Sequence, residues 1–103
     1  MTFHITHRLG NMDGPQRIPD FRDFLLELGE DPEDEEHISV AVTHESEWCL
    51  SAFRGGYVIF EHIENGGERH MQGVSNDRII QLWTCLANGD IHIIEQAPWC
   101  PGY

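Results

Sequence analysis

The clearest hydrophobic pattern lies near the C terminus. Apolar residues recur there at helical spacing, and they are Ile79, Ile80, Leu82, Trp83 and Leu86. This spacing predicts a helix from Asp77 to Asn88 with one apolar face. Ser75 or Asn76 can cap its first turn, and Gly89 can end it in the left-handed conformation that glycine adopts at low cost.

A second amphipathic pattern lies closer to the N terminus. Its apolar residues stand at positions i, i+3, i+4 and i+7, which form one helix face: Phe21, Phe24, Leu25 and Leu28. Pro19 and Asp20 suit the start of this helix, and Gly29 suits its end. The pattern therefore predicts two amphipathic helices, and each needs an apolar surface to pack against.

Apolar runs of strand length predict an antiparallel sheet. The predicted strands cover residues 2–9, 37–43, 47–53, 57–63 and 68–74. Residues 10–15 are rich in turn formers and predict a loop, whereas the Gly55-Gly56 pair predicts a tight turn. Residues 91–94, with three isoleucines, predict a short final strand. The indole of Trp99 is expected to pack against the fold.

The turn signal at Asn65-Gly66 predicts one hairpin register. With these residues at the centre of the turn, three pairs follow: His62 with Arg69, Glu61 with His70, and Phe60 with Met71. A turn centred on Gly66-Gly67 instead would change every pair. In the strand at 47–53, either face can be the buried one.

Together the elements predict an α+β fold in a single domain over residues 1–103. Its twisted antiparallel sheet would have about five strands, with the two amphipathic helices packed against it.

The charge balance favours a binding function. The chain has 18 acidic and 6 basic residues, a formal net charge of -12, and every basic residue is arginine. Phosphate contacts require a basic face, so direct binding to nucleic acid is not expected. A basic protein is the favoured partner, and the alternative is an acidic surface that is only solvated.

The acidic residues are densest directly after the first predicted helix. We expect an exposed loop there, because neighbouring carboxylates repel one another and Pro32 interrupts a helix. The loop is either a solvated linker or a docking segment for a basic surface. Trp48 and Tyr57 are possible aromatic anchors, although both also suit the core. The partner-binding candidates are Glu30, Asp31, Glu33, Asp34, Glu35, Glu36, Glu45, Glu47, Trp48 and Tyr57.

The remaining composition favours a cytoplasmic protein. No apolar run approaches the ~20 residues of a membrane span, so no membrane contact is expected. Residues 1–14 lack the pattern of a signal peptide. The chain has three cysteines, which is an odd number, and they are widely spaced: Cys49, Cys85 and Cys100. We therefore expect reduced, mostly buried thiols.

The histidines and carboxylates form no recognisable catalytic or metal motif. His4 and His7 should point to opposite faces of a strand, and His62 and His70 lack a clear third ligand. No glycine loop suits a phosphate group, and an acidic chain disfavours the electropositive pocket of a nucleophilic cysteine. We therefore predict no enzyme activity, no metal and no cofactor.

The order of motifs over residues 37–103 can be compared with a family. Strands rich in aromatic residues are followed by Ser75-Asn76-Asp77, Ile79-Ile80-Gln81-Leu82-Trp83, Asn88-Gly89-Asp90 and a closing Trp99. This order resembles bacterial immunity proteins of polymorphic toxin and contact-dependent growth inhibition systems, in particular the first-numbered immunity superfamily. The resemblance implies a cytoplasmic protein that neutralises one cognate toxin domain, often a nuclease or a nucleic-acid deaminase. It implies no catalytic residues.

Three functional hypotheses follow. The first is an immunity protein that blocks a basic toxin sterically and electrostatically. The alternative is an acidic nucleic-acid mimic or adaptor that binds a basic protein through carboxylates spread over a broad face. The third is a small metal-linked or cysteine enzyme, which the sequence favours least.

Overall fold

The computed structural model describes residues 3–10, 12–13, 21–30, 33–34, 36 and 38–102. Across these residues the chain forms one antiparallel sheet in the order β2-β1-β3-β4-β5-β6-β7. The strands are β1 (Phe3–Thr6), β2 (Met12–Asp13), β3 (Ser39–His44), β4 (Trp48–Phe53), β5 (Tyr57–His62), β6 (Gly66–Met71) and β7 (Cys100–Pro101). The α+β class is confirmed. Five strands of four to six residues overlap the five longer ones that were predicted, whereas the two-residue edge strands β2 and β7 were not predicted.

The two predicted helices pack against the sheet. Helix α1 (Phe21–Leu26) continues as a 3₁₀ turn to Gly29, which confirms the predicted stop. Its predicted start at Pro19 and Asp20 lies outside the described residues. Helix α2 (Asn76–Ala87) begins one residue before the predicted Asp77. Ser75 is its cap, as one of the two predicted alternatives, because the Ser75 hydroxyl accepts a hydrogen bond of 3.2 Å from the backbone N–H of Arg78. No helix in the described ranges has the length and apolarity required to cross a membrane.

The final isoleucine run is a helix, so the predicted strand at 91–94 is wrong. These residues form α3 (Ile91–Glu95). Ile94 is fully buried and Ile91 packs against the core, whereas Ile93 is 44% exposed. In a helix, residues three apart such as Ile91 and Ile94 lie on the same face, which fits their burial. In a strand, Ile91 would share a face with Ile93 instead.

The core lies between the helices and one face of the sheet. Leu50 and Ala52 are completely buried on that face, which settles the orientation of β4. The indole N–H of Trp83 donates to the backbone carbonyl of Leu50 at 3.0 Å and so ties α2 to the centre of the sheet. Around this indole stand the rings of Phe21 and Phe24, with centroids 5.7 and 5.2 Å away.

The β5–β6 hairpin has a different register from the predicted one. Phe60 pairs with Arg69 instead of Met71, which is a shift of two residues. The cause is a longer turn followed by a register irregularity between Phe60 and His62, so that His62 pairs with Gly66. A two-residue shift preserves the alternation of faces, so Phe60 and Met71 lie on the same face in the observed register as in the predicted one.

Candidate functional site

In the acidic loop, which is the segment 30–36, the described residue Asp34 is held by two arginines of the fold. The Arg8 guanidinium donates to the Asp34 carboxylate at 2.8 Å, and Arg54 donates to the Asp34 backbone carbonyl at 2.8 Å. Asp34 is half-buried. Its carboxylate is therefore an anchor of the loop, in contrast to its predicted role as a charge facing a partner.

Three carboxylates of the acidic loop point outward. Glu30, Glu33 and Glu36 are exposed. The backbone N–H of Glu36 donates to the Asp34 carboxylate at 3.0 Å, so the same anchor also positions the end of the loop. The other two candidates of this segment, Asp31 and Glu35, lie outside the described residues.

Arg54 joins the acidic loop to the turn between β4 and β5. Its Nε donates to the carbonyl of Leu28 at 2.6 Å, while its Nη1 reaches the carbonyl of Asp34. In addition, its backbone N–H donates to the carbonyl of Ile38 at 3.0 Å. Arg54 therefore connects the end of the first helical segment and the acidic loop through its side chain, and the residue before β3 through its backbone.

An apolar groove opens beside the acidic loop. We call it the leucine groove, and its volume is about 310 Å³. Leu26 is 63% exposed at this site. The lining includes Leu25, Leu26, Leu28, Gly29, Ile79 and the turn residues Arg54, Gly55 and Gly56. Sequence reasoning missed the groove, because Leu26 falls outside the apolar stripe of α1 and the groove forms only when α1, α2 and the turn meet.

Glu45, Glu47 and Trp48 lie at the other end of the sheet. The acidic loop precedes β3 and the turn at 45–47 follows it, so the six residues of β3 separate them by about 20 Å. Glu45 is exposed and Glu47 is half-buried. The predicted partner-binding residues that the structure describes therefore form two groups and not one continuous patch.

Trp48 is mainly a packing residue. Its ring stacks on Phe60 at 4.7 Å between centroids and meets the His62 ring edge-on at 5.1 Å. The Arg69 guanidinium lies 5.6 Å from the Trp48 ring centroid. Trp99 stacks on Phe60 as well, at 5.5 Å, which confirms that this indole packs against the fold.

Tyr57 lies at the same end of the sheet as the acidic loop. Its ring stacks on His70 at 5.5 Å and contacts Phe53 edge-on at 5.7 Å. Because Val58 faces the core and neighbouring residues of a strand alternate, the Tyr57 side chain lies on the face away from the helices. Tyr57 is half-buried and does not line the leucine groove.

Each arginine among the described residues contacts a polar group of the chain itself. Besides the contacts of Arg8 and Arg54, each of the other three has a polar partner. Arg22 meets Asp77 at 2.8 Å, Arg69 meets Glu95 at 3.4 Å, and Arg78 meets Gln81 at 3.3 Å. Carboxylates outnumber the arginines threefold in the sequence, so they set the electrostatic character of the surface.

The cysteines differ in exposure. Cys49 is buried, and burial raises the pKa of its thiol above the ordinary value. Cys85 is half-buried, whereas Cys100 is exposed. The expectation of mostly buried thiols therefore holds for Cys49 and is wrong for Cys100, which the edge strand β7 carries at the surface.

Neither metal ligation nor similarity to known proteins assigns a function. Among the residues that the structure describes, no three His, Cys, Asp or Glu side chains come together as a metal site. Comparison with known proteins finds no matching family model, no matching curated protein and no matching solved structure.

Proposed function

We propose that this protein binds and neutralises a basic protein, and that it is an immunity protein for a cognate bacterial toxin domain. The observation that carries the proposal is the anchored acidic loop. Arg8 and Arg54 hold its backbone and Asp34, while Glu30, Glu33 and Glu36 remain exposed. A charged loop with a fixed base loses less conformational entropy on binding than a free linker does.

A nuclease is the toxin class that fits best. Its active surface must be basic to hold phosphate groups, so exposed carboxylates can steer association and then cover that surface. This mode of inhibition requires no chemistry from the inhibitor, no metal and no cofactor. The resemblance of residues 37–103 to immunity proteins supports the same function. The proposed location is the cytoplasm, where the three free thiols would stay reduced.

The alternative is an acidic mimic of nucleic acid. One observation favours it: carboxylates lie at both ends of the sheet, with Glu45 exposed at the end far from the acidic loop. A mimic would use both groups together and would bind several nucleic-acid-binding proteins. Its complexes would depend mainly on charge and would dissociate as salt increases.

A capture experiment followed by an activity assay distinguishes the two functions. The immobilised protein is exposed to lysate of the producing cell, washed at low and high salt, and the retained proteins are identified by mass. The immunity function predicts one basic protein that is retained at high salt and whose toxicity is suppressed when the two are co-expressed. Retention of several nucleic-acid-binding proteins that all elute with salt would contradict it and favour the mimic.

A charge variant tests the role of the acidic loop in the complex. Replacing Glu30, Glu33 and Glu36 with glutamine should slow association with the captured partner about tenfold and flatten its salt dependence. The control replaces Glu45 and Glu64, both exposed at the other end of the sheet, with glutamine, and the two effects are compared per charge removed. Equal effects of the two variants would show that the acidic loop has no special role.

A further inference from the structure

We infer that the leucine groove holds an aliphatic side chain from a lysine- or arginine-rich segment of the basic partner. The inference rests on the proposed function and adds the chemistry of the docking segment. Its first support is the apolar character of the site. Leu25, Leu28 and Ile79 are 6%, 8% and 1% exposed, so the base of the groove is well packed. Leu26 is 63% exposed, and an occupant would cover it.

The size of the groove limits the occupant. Its volume of about 310 Å³ is near the lower end of the ~300 to 1,000 Å³ typical of ligand pockets. The groove therefore suits one or two aliphatic side chains. Such a buried apolar contact surrounded by polar groups is the usual form of an interface hot spot.

The charge at the edge of the groove selects a cationic segment. Glu30 is exposed and directly follows Gly29, which lines the groove. Arg54 links the groove to the acidic loop, which presents Glu33 and Glu36. Arg54 lines the groove and keeps its positive charge there, but its Nε and Nη1 donate to two backbone carbonyls, so these donors face the chain itself. Lysines or arginines beside the inserted side chain would meet the carboxylates.

Charge also argues against a second copy of this chain as the occupant. A copy that docked at this site would bring another acidic surface to the acidic loop, and like charges in contact are repelled. A neutral apolar molecule would fill the groove but would gain nothing from the carboxylates. Only a segment that is both aliphatic and cationic uses both features of the site.

Two synthetic peptides test the inference directly. One is a short lysine peptide with a central leucine, and the other has serine in place of that leucine. Their affinities are measured by titration at low salt, and the contacted residues are mapped from amide and methyl NMR shifts. The leucine peptide should bind about tenfold more tightly and should shift the signals of Leu25, Leu26 and Ile79.

Two variants test whether the extra affinity of the leucine peptide comes from the leucine groove. Leu26→Ser should remove the advantage of the leucine peptide and leave the serine peptide unaffected. Ile63→Ser is the matched control, because Ile63 is 55% exposed in the β5–β6 turn, at the other end of the sheet. Both positions are exposed, so both variants should fold, which circular dichroism verifies.

Each other outcome overturns the inference. Equal affinities for the two peptides would show that the leucine side chain does not bind in the groove. A loss of affinity in Ile63→Ser but not in Leu26→Ser would show the same. If neither peptide binds and Leu26→Ser abolishes a concentration-dependent dimer, the occupant is a second copy. If neither peptide binds and no dimer forms, the groove has no cationic ligand. The immunity function is judged separately, by the capture and toxicity assay.

Discussion

Arg54 is the residue on which the position of the acidic loop depends most. It donates from Nε to the Leu28 carbonyl and from Nη1 to the Asp34 carbonyl, at 2.6 and 2.8 Å. Arg54→Met keeps the aliphatic stem and removes both donors, so we expect the free energy of unfolding to fall by about 2 kcal/mol. Urea denaturation measures the loss.

The matched control for this substitution is Arg78→Met. Arg78 is exposed on α2, and its guanidinium contacts Gln81 at 3.3 Å, so its replacement should change stability by less than about 0.5 kcal/mol. Equal losses in the two variants would show that the hydrogen bonds of Arg54 contribute no more to the free energy of unfolding than the contact of a surface arginine does.

Cys49 gives the protein a sensitivity to alkaline pH. Because burial raises the pKa of the thiol, the native state keeps a proton that the unfolded chain releases near the ordinary thiol pKa of about 8.5. The contribution of this thiol to the free energy of unfolding is therefore fully present below that pH. It is lost as the pH rises towards the pKa of the thiol in the folded state. Denaturation of Cys49→Ser across this range should show a shallower alkaline decline than the unsubstituted protein. Identical slopes would contradict the assignment.

At the scale of elements, the indole of Trp83 is the main link between α2 and the sheet. It is fully buried and donates to the Leu50 carbonyl at 3.0 Å. Trp83→Phe leaves that carbonyl without its donor and creates a void, so we expect a loss of about 3 kcal/mol in unfolding free energy. Thermal and urea denaturation measure it.

Trp99→Phe provides the comparison within the same fold. Trp99 is half-buried, and its indole donates to the Ile94 carbonyl at 2.7 Å. Water can reach this region more easily, and the loss should be about half as large. A greater loss for Trp99→Phe would mean that the packing of α3 matters more to stability than the contact between α2 and the sheet.

Elements with a long periodic pattern could be predicted from sequence, whereas short ones could not. Helix α2 has an apolar stripe over three turns and a serine cap, so local signals agree with its packing. The isoleucines of α3 span only one turn, and at that length strand and helix patterns coincide. Strands β2 and β7 contain two residues each, and only their partners β1 and β6 define them.

The candidate site was predictable only as far as its charge. The acidic run at residues 30–36 is visible in the sequence, but the inward role of Asp34 depends on Arg8 and Arg54, which are 26 and 20 residues away. The leucine groove likewise combines α1, α2 and a turn that are distant in sequence. Contacts of this kind follow from tertiary packing, and periodicity carries no information about them.

At the scale of the whole molecule, the charge that suits a basic partner should cost stability in its absence. A net charge of -12 on 103 residues produces self-repulsion, which mobile ions screen. Raising sodium chloride from low to moderate concentration should therefore stabilise the free protein by about 1 kcal/mol, or about 5 °C in melting temperature at this size.

The charge variant of the acidic loop separates this repulsion from other effects of salt. Replacing Glu30, Glu33 and Glu36 with glutamine removes three of the charges, so its melting temperature should start higher and rise less with salt. A melting temperature that falls with salt would instead show that ion pairs such as Arg8–Asp34 outweigh the repulsion. A basic partner would relieve the same repulsion, and its binding should then raise the melting temperature most at low salt.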